Sequence, residues 1–177
     1  MSKPKKFQFT VLCEDTRHGH FIDGYLRRKY PNVSVYLIIS PKGKGSGEQY
    51  VRDNFAEEVK NHRKHGKVLI VVTDADTYTF DGRLQSLAKN LDKDKQLSKN
   101  DKIIVLIPAR NIETWFRYAD SPEDCNEIKD YKHGYKKVEP SQCGEKYAKE
   151  NIFCNGSLKA LQKACNELDR LKKLLSK

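Results

Sequence analysis

The chain has no long hydrophobic run and none of the features of a secreted protein. No apolar segment approaches the roughly 18–20 residues that cross a bilayer, so no membrane partner is expected. The basic N-terminus is followed by a short apolar stretch that runs straight into Cys13-Glu14-Asp15, which is unlike a signal peptide. These absences predict a cytoplasmic protein.

Closely spaced cysteine pairs are also missing. None of the 5 cysteines stands in a Cys-x-x-Cys arrangement. An odd number of cysteines in a chain without a signal peptide favours free thiols. A zinc site formed by Cys143, Cys154 and His133 is an alternative, although these residues lack the close spacing of zinc motifs.

Acidic residues are outnumbered by basic ones. The chain carries 34 Lys and Arg against 24 Asp and Glu, which gives a formal net charge of +10. Such an excess favours polyanionic partners, and nucleic acid before a membrane surface. A chain of 177 residues suits one domain with a substantial core.

Apolar runs alternate with amphipathic stretches over most of the chain. Four strands are predicted at 7–13, 33–39, 67–73 and 102–107. Four helices are predicted to lie between and after them, at about 17–30, 48–65, 83–91 and from 112. This alternation predicts an α/β, Rossmann-like fold with a central, mainly parallel four-stranded sheet and helices on both faces.

The C-terminal third of the chain has a different pattern. Residues 121–156 contain two prolines and few apolar anchors, which predicts an irregular segment. Residues 157–175 carry an apolar side chain every three or four positions and predict an extra C-terminal helix. We expect a domain over 1–120 with 121–177 packed on it. The alternative for the last helix is the seam of a homodimer.

Acidic residues follow three of the four predicted strands. Glu14 follows the first strand, Asp74 and Asp76 follow the third, and Glu113 comes soon after the fourth. The carboxyl ends of parallel strands meet at one edge of a sheet, so these residues are expected to lie together. In an extended chain Asp74 and Asp76 point to the same side and could hold one Mg²⁺ or Mn²⁺. Glu14 could complete that site or act as general acid or base, and Glu113 could bind a second metal.

Basic residues are expected beside this acidic edge. Lys42 and Lys44, in the glycine-rich loop after the second strand, and Arg110 are candidates for binding phosphate. The loop lacks the P-loop sequence, and a flexible connection with solvated lysines is the alternative. His18 could contact phosphate or activate water near a metal; the alternative places it at the exposed start of the first helix.

Three segments resemble the TOPRIM domain: VLCEDTRHGHFIDGYL, VLIVVTDADTYTFDGR and IPARNIETWF. Topoisomerases, bacterial primases, small maturation ribonucleases and nucleases of the OLD (overcoming lysogenisation defect) type share this domain. The segments are most similar to short OLD-like TOPRIM proteins of bacterial genomes, often found in anti-phage defence loci. The resemblance covers roughly residues 7–120. It implies a TOPRIM fold and a Mg²⁺-dependent endonuclease acting on nucleic acid, DNA before RNA.

The resemblance also assigns roles to the acidic residues. Glu14 corresponds to the glutamate of the family, which is a metal ligand or general acid or base. Asp74 and Asp76 correspond to the metal-binding pair, and Glu113 to the acid that OLD-like nucleases use for a second metal. Asp15 departs from the pattern, because many TOPRIM domains have glycine there.

OLD nucleases carry an ATPase domain that is not found in this sequence, so the resemblance implies a separate ATPase subunit. Two other functions compete with a nuclease. The first is a non-catalytic module that binds nucleic acid or a partner protein on a TOPRIM scaffold. The second is a receiver-like phosphorylation domain, which would leave Asp76 and Glu113 without a role.

Overall fold

A parallel sheet forms the centre of the protein. The computed structural model describes residues 6–43 and 45–176. The strands are β1 (Phe7–Cys13), β2 (Val33–Ile39), β3 (Val68–Val72) and β4 (Ile103–Leu106). All three pairings are parallel, and the order across the sheet is β2-β1-β3-β4. The predicted α/β class is confirmed, and β3 and β4 are each one residue shorter at both ends than predicted.

Helices cover both faces of the sheet, as the sequence predicts. Within the described ranges they are α1 (Thr16–Lys29), α2 (Gly47–His65), α3 (Phe80–Ala88), α4 (Glu113–Asp120), α5 (Pro140–Glu150), α6 (Ile152–Asn155) and α7 (Lys159–Leu175). None of these helices, in the part of the chain that the structure describes, has the length and apolar character needed to cross a membrane.

The core consists of two layers, one on each face of the sheet. Adjacent strand residues point to opposite faces, so Val11 and Leu12 of β1 belong to different layers. Leu12 packs with Phe55 and the other apolar residues of α2 and α3. Val11 packs with Phe21 of α1 and Trp115 of α4, in a layer that also contains residues of α5 and α7.

Helices α1 and α5 cross with their backbones almost in contact. A Cβ atom on Gly24 would lie 2.1 Å from the carbonyl oxygen of Ser141, and one on Gly144 would lie 1.9 Å from that of Phe21. No residue other than glycine fits at either position. The close crossing fixes α1, which carries part of the candidate site described below, to a segment more than 100 residues later in the chain.

The prediction that 121–156 is irregular is wrong for its second half, where α5 and α6 form. Pro140 occupies the first turn of α5, where a missing N–H costs nothing. The buried face of α5 is made of Cys143, Gly144 and Tyr147. The aliphatic stripe expected of a buried helix is absent because the crossing with α1 requires a small residue and one large aromatic.

The cysteines only partly follow the free-thiol prediction. Cys154 of α6 and Cys165 of α7 form a disulfide. The free thiols are Cys13, Cys125 and Cys143. The alternative zinc site does not form, since Cys154 is bonded to Cys165. Cys143 is buried and, among the described residues, belongs to no group of potential metal ligands.

Helix α7 buries its apolar stripe within this chain. Leu161, Leu168 and Leu171 lie in the same layer as β1, β3 and β4. Arg170 of α7 contacts the start of β4, where its guanidinium donates hydrogen bonds to the carbonyl oxygens of Asp101 at 2.8 Å and Ile103 at 2.6 Å.

Candidate metal centre

Glu14 links the ends of two neighbouring strands. Cys13 pairs with Val72 in the sheet, so the residues that follow them lie side by side. Glu14 Oε1 accepts hydrogen bonds from the Thr73 hydroxyl at 2.5 Å and the Asp74 N–H at 2.7 Å. Burial raises the pKa of Glu14, and the neighbouring Asp74 carboxylate raises it further.

His18 lies between two carboxylates. Its Nδ1 is 2.8 Å from Asp15 Oδ1 and its Nε2 is 2.8 Å from Asp74 Oδ1. Burial alone would lower the pKa of His18, but the two carboxylates raise it well above 6.5. Because each nitrogen faces a carboxylate oxygen, which accepts, both nitrogens donate. The alternative of an exposed histidine is wrong, because the first turn of α1 faces the sheet and His18 is only 2% exposed. With both nitrogens engaged, His18 has none left for a phosphate in this arrangement.

Asp15 positions the start of α1. As its N-cap residue, Asp15 accepts hydrogen bonds from the backbone N–H groups of Arg17 at 2.8 Å and His18 at 3.1 Å. Burial would raise the pKa of Asp15, but the hydrogen bond and charge of His18 lower it to about 2. Asp15 therefore both caps the helix and holds the histidine.

Glu14, His18 and Asp74 form a group of potential metal ligands. One ligand atom from each residue lies within 4.8 Å of the others. Within the described ranges, Glu14 Oε2 and Asp74 Oδ2 make no hydrogen bond, which leaves an oxygen on each carboxylate for another partner. His18 would ligate only after losing a proton, since metal binding requires neutral imidazole.

Asp76 points to a different partner from Asp74. The backbone at Asp76 has φ 52°, in the left-handed region, so the extended conformation assumed for this pair is not found. Asp76 Oδ2 accepts a hydrogen bond from Arg83 at 2.9 Å, and the same guanidinium donates to Glu48 of α2 at 2.5 Å. Asp76 is not in the group of ligand atoms within 4.8 Å of one another. The structure therefore separates the two aspartates that the sequence pairs.

Glu113 brings a third carboxylate to this edge from the start of α4. Its Oε1 is 3.1 Å from Nε of Arg17, while its Oε2 is buried without a hydrogen-bond partner in the described structure. Burial raises the pKa of Glu113, and the negative charge of Asp74 adds to this increase. The guanidinium of Arg17 is held by the carbonyl oxygens of Tyr135 at 2.6 Å and Lys136 at 3.2 Å.

The basic candidates are less closely placed. Arg110, also with positive φ, has its Nη1 3.5 Å from the Asp76 carbonyl oxygen and its Nη2 3.9 Å from the Asp130 carboxylate. Lys42 is exposed in the glycine-rich loop, and Lys44 lies outside the described residues. The loop leads to the site, because a Cβ atom on Gly47 would lie 2.6 Å from the Glu14 carbonyl oxygen.

Sequence reasoning missed several residues that hold the acids in place: Thr73, Arg17, Arg83 and Glu48. Only Thr73 had a signal, since it immediately precedes Asp74 at the end of a buried strand. The others come from helices, and their reach across the sheet edge depends on how those helices pack.

The site fits a divalent cation by its donor set. Within the described residues, Glu14 and Asp74 each have a carboxylate oxygen without a hydrogen bond, and oxygen ligands are what Mg²⁺ and Mn²⁺ prefer. Glu113 also has a buried oxygen without a partner, but it is not in the group of ligand atoms within 4.8 Å of one another. The chain matches no protein-family model, no curated protein and no solved structure.

Proposed function

We propose that this chain is a metal-dependent nuclease of the TOPRIM type, which uses Mg²⁺ or Mn²⁺ to hydrolyse phosphodiester bonds of nucleic acid, DNA before RNA. One observation carries the proposal: Glu14 and Asp74, from the ends of two neighbouring strands, have ligand atoms within 4.8 Å of each other, and Glu113 at the start of α4 is close enough for the Asp74 charge to raise its pKa. Buried carboxylates repel one another and are costly to desolvate, so such a group favours a cation.

Each residue has a role in this proposal. Glu14 and Asp74 would hold the ion, which when bound supplies Lewis-acid polarisation and charge neutralisation at a phosphodiester. His18 orients Asp74 through its 2.8 Å hydrogen bond. Glu113, the third carboxylate, has a raised pKa and would be available for a proton or a further ion. Arg110, which lies beside Asp76, would contact a substrate phosphate.

The biological setting is a further part of the proposal. The resemblance to short OLD-like TOPRIM proteins supports a role in bacterial anti-phage defence, with an ATPase supplied by a separate subunit. The net charge of +10 supports nucleic acid as the substrate.

Cleavage assays test the proposed function. Labelled plasmid, linear duplex, single-stranded DNA and RNA would be incubated with Mg²⁺, Mn²⁺ or EDTA. We expect cutting that needs metal and disappears in Asp74→Asn, which keeps the size of the side chain. Asp94→Asn, at an exposed acidic residue outside the site, is the matched control and should cut like wild type.

Two outcomes would contradict a nuclease. No cutting of any substrate, together with a melting temperature that metal leaves unchanged, would reject the activity and the metal site. Binding of nucleic acid that survives Asp74→Asn without cutting would instead support the non-catalytic binding module.

A further inference from the structure

A cleft lies next to the acidic edge, with Asp76 in its lining. It has a volume of about 650 Å³ and lies between the loop after β3, the loop before α4 and the start of α7. Asp76 and Arg110 line it and are joined by a backbone hydrogen bond of 2.8 Å. Asp76 is two residues from Asp74, and two residues of extended chain span at most about 7 Å. The cleft therefore begins within about 7 Å of Asp74.

The wall of this cleft contains an exposed aromatic ring. Tyr78 is 57% exposed, and Ile128, which is 86% exposed, lies in the opposing segment. The Arg83 guanidinium lies 4.8 Å from the centroid of the Tyr78 ring. That guanidinium is itself fixed by Glu48 and Asp76, so it supports the ring from a rigid position. A supported ring that remains exposed is suited to stacking against a planar ligand.

The position of Tyr78 is set by a turn at the end of β3. Its backbone N–H donates to the carbonyl oxygen of Ala75 at 2.9 Å, and Asp76 within the turn has φ 52°. The left-handed conformation that separates Asp76 from Asp74 thus also brings the tyrosine to the cleft. The left-handed backbone at Asp76 therefore sets the positions of both Asp76 and Tyr78.

The charges around the cleft leave two cations available. Three carboxylates line the cleft, and each has a partner: Asp81 is paired with Lys163 at 2.9 Å, Asp76 with Arg83, and Glu127 accepts a hydrogen bond from the Ala160 N–H at 2.7 Å. The Lys159 side chain makes no hydrogen bond or ion pair in the described part of the chain, and Arg110 forms only a long ion pair, with Asp130 at 3.9 Å. An aromatic surface flanked by two such cations matches a nucleotide, which has a planar base and an anionic phosphate.

We propose that this cleft binds one unpaired nucleotide of single-stranded nucleic acid, with its base on Tyr78 and its phosphate against Arg110 and Lys159. A base in a duplex is stacked and paired and cannot present its face to a side chain, so the cleft selects single strands. This inference deepens the proposed function, because it places an unpaired nucleotide beside the phosphodiester that the acidic edge would cleave.

Binding measurements in EDTA separate this proposal from catalysis. Fluorescence anisotropy would follow labelled single-stranded DNA and RNA of about 12 nucleotides, the same sequence as a duplex, and a labelled mononucleotide. We expect Tyr78→Ala to weaken single-strand binding by about 5- to 150-fold, the usual range for loss of one base-stacking aromatic. Tyr78→Phe should retain the affinity, and duplex binding should be unchanged in both variants.

Tyr36→Ala is the matched control, because Tyr36 is 69% exposed on β2 and does not line this cleft. It should bind single strands like wild type. Lys159→Gln should weaken binding uniformly across sequences and reduce the salt dependence by about one unit of slope. Tight binding of the free mononucleotide in place of the oligonucleotide would overturn the proposal and indicate a small-molecule site.

The outcomes also distinguish this proposal from the proposed function. Tyr78-dependent binding without metal-dependent cutting would support the cleft and reject the nuclease. Cutting that Tyr78→Ala leaves unchanged, with single-strand affinity equal to wild type, would reject the cleft and keep the nuclease. A protein that binds no oligonucleotide would overturn the cleft proposal.

Discussion

His18 holds Asp74 across 56 residues of sequence, with Nε2 of the imidazole 2.8 Å from Oδ1 of the carboxylate. The other nitrogen contacts Asp15 at 2.8 Å, so one buried imidazolium links the start of α1 to the end of β3. In the absence of metal this imidazolium supplies the positive charge closest to Asp74. The pair therefore contributes both to the stability of the fold and to the geometry of the proposed metal site.

Replacing His18 should expose this dual role. In His18→Ala, Asp74 and Asp15 lose their shared partner, and removing one member of a buried charged pair costs about 3–5 kcal/mol. We expect a fall of that order in the free energy of unfolding, measured by urea denaturation in EDTA. Added Mg²⁺ should recover part of the loss, because the ion would neutralise Asp74.

The neighbouring histidine provides the control for this experiment. His20 is exposed on the same helix, so His20→Ala should change the free energy of unfolding by less than about 0.5 kcal/mol. Equal losses in the two variants would show that the His18 pair does not stabilise the fold.

Gly47 should be intolerant of any side chain. A Cβ atom there would lie 2.6 Å from the carbonyl oxygen and 2.7 Å from Cβ of Glu14, so Gly47→Ala must move α2 or Glu14. We expect a loss of about 1–3 kcal/mol in the free energy of unfolding and a smaller rise in melting temperature on adding Mg²⁺. Gly134→Ala is the control, since its nearest contact would be 3.8 Å away. A Gly47→Ala variant with wild-type stability and metal response would contradict the close packing.

Asp101 should make stability depend on acid pH. Burial would raise the pKa of Asp101, but Arg63, at 2.6 Å and 3.1 Å, lowers it below the ordinary 3.8. The folded state thus favours the charged carboxylate, so its stabilisation is complete above pH 3.8 and is lost as pH falls through the folded pKa.

Comparing variants measures this contribution. Asp101→Asn should lower the free energy of unfolding by about 1–2 kcal/mol at pH 7. As pH falls from about 7 to about 2, the free energy of unfolding of this variant should decrease less than that of wild type. Urea denaturation across that range provides the measurement, with Asp94→Asn as an exposed control. Parallel curves for wild type and Asp101→Asn would show that this carboxylate contributes nothing to the pH dependence.

The cysteines should react in a defined number and order. Denatured protein treated with iodoacetamide should gain three labels without reductant and five after reduction, because Cys154 and Cys165 are bonded. In the native protein Cys125 should react first, since burial raises the pKa values of Cys13 and Cys143 to about 12 and thiolates are the reactive form. Five labels without reductant would contradict the disulfide and restore the free-thiol prediction.

The sequence predicts the sheet well because strand formation is encoded locally. The bounds predicted for β1 and β2 match the structure, and Glu14 and Asp74 lie together because parallel strands end at one edge. The sequence pairs Asp76 with Asp74 on the assumption of extended backbone, but Asp76 has a left-handed backbone conformation that turns its side chain elsewhere. Nothing about an aspartate at this position indicates that conformation. The spacing of apolar residues predicts helices and strands, whereas the backbone conformation of the turns between them decides which side chains come together.

Helix α5 was missed for a related reason. Its buried face is set by the partner it crosses, and Gly144 is required only because Phe21 of α1 approaches so closely. Arg83 was also unpredictable, since its two carboxylates come from Glu48 and Asp76 on different elements. Such contacts follow from tertiary packing and leave no periodic pattern in the sequence.

The crossing of α1 and α5 has a consequence for how the protein is made. Helix α1 supplies His18 and Arg17 and follows Asp15, yet it packs on a helix that begins only at Pro140. A nascent chain of 120 residues contains every acidic residue of the edge but not the helix that α1 crosses. The proposed metal site is therefore complete only after the C-terminal third of the chain has been synthesised, because α1 has no α5 to pack against before then.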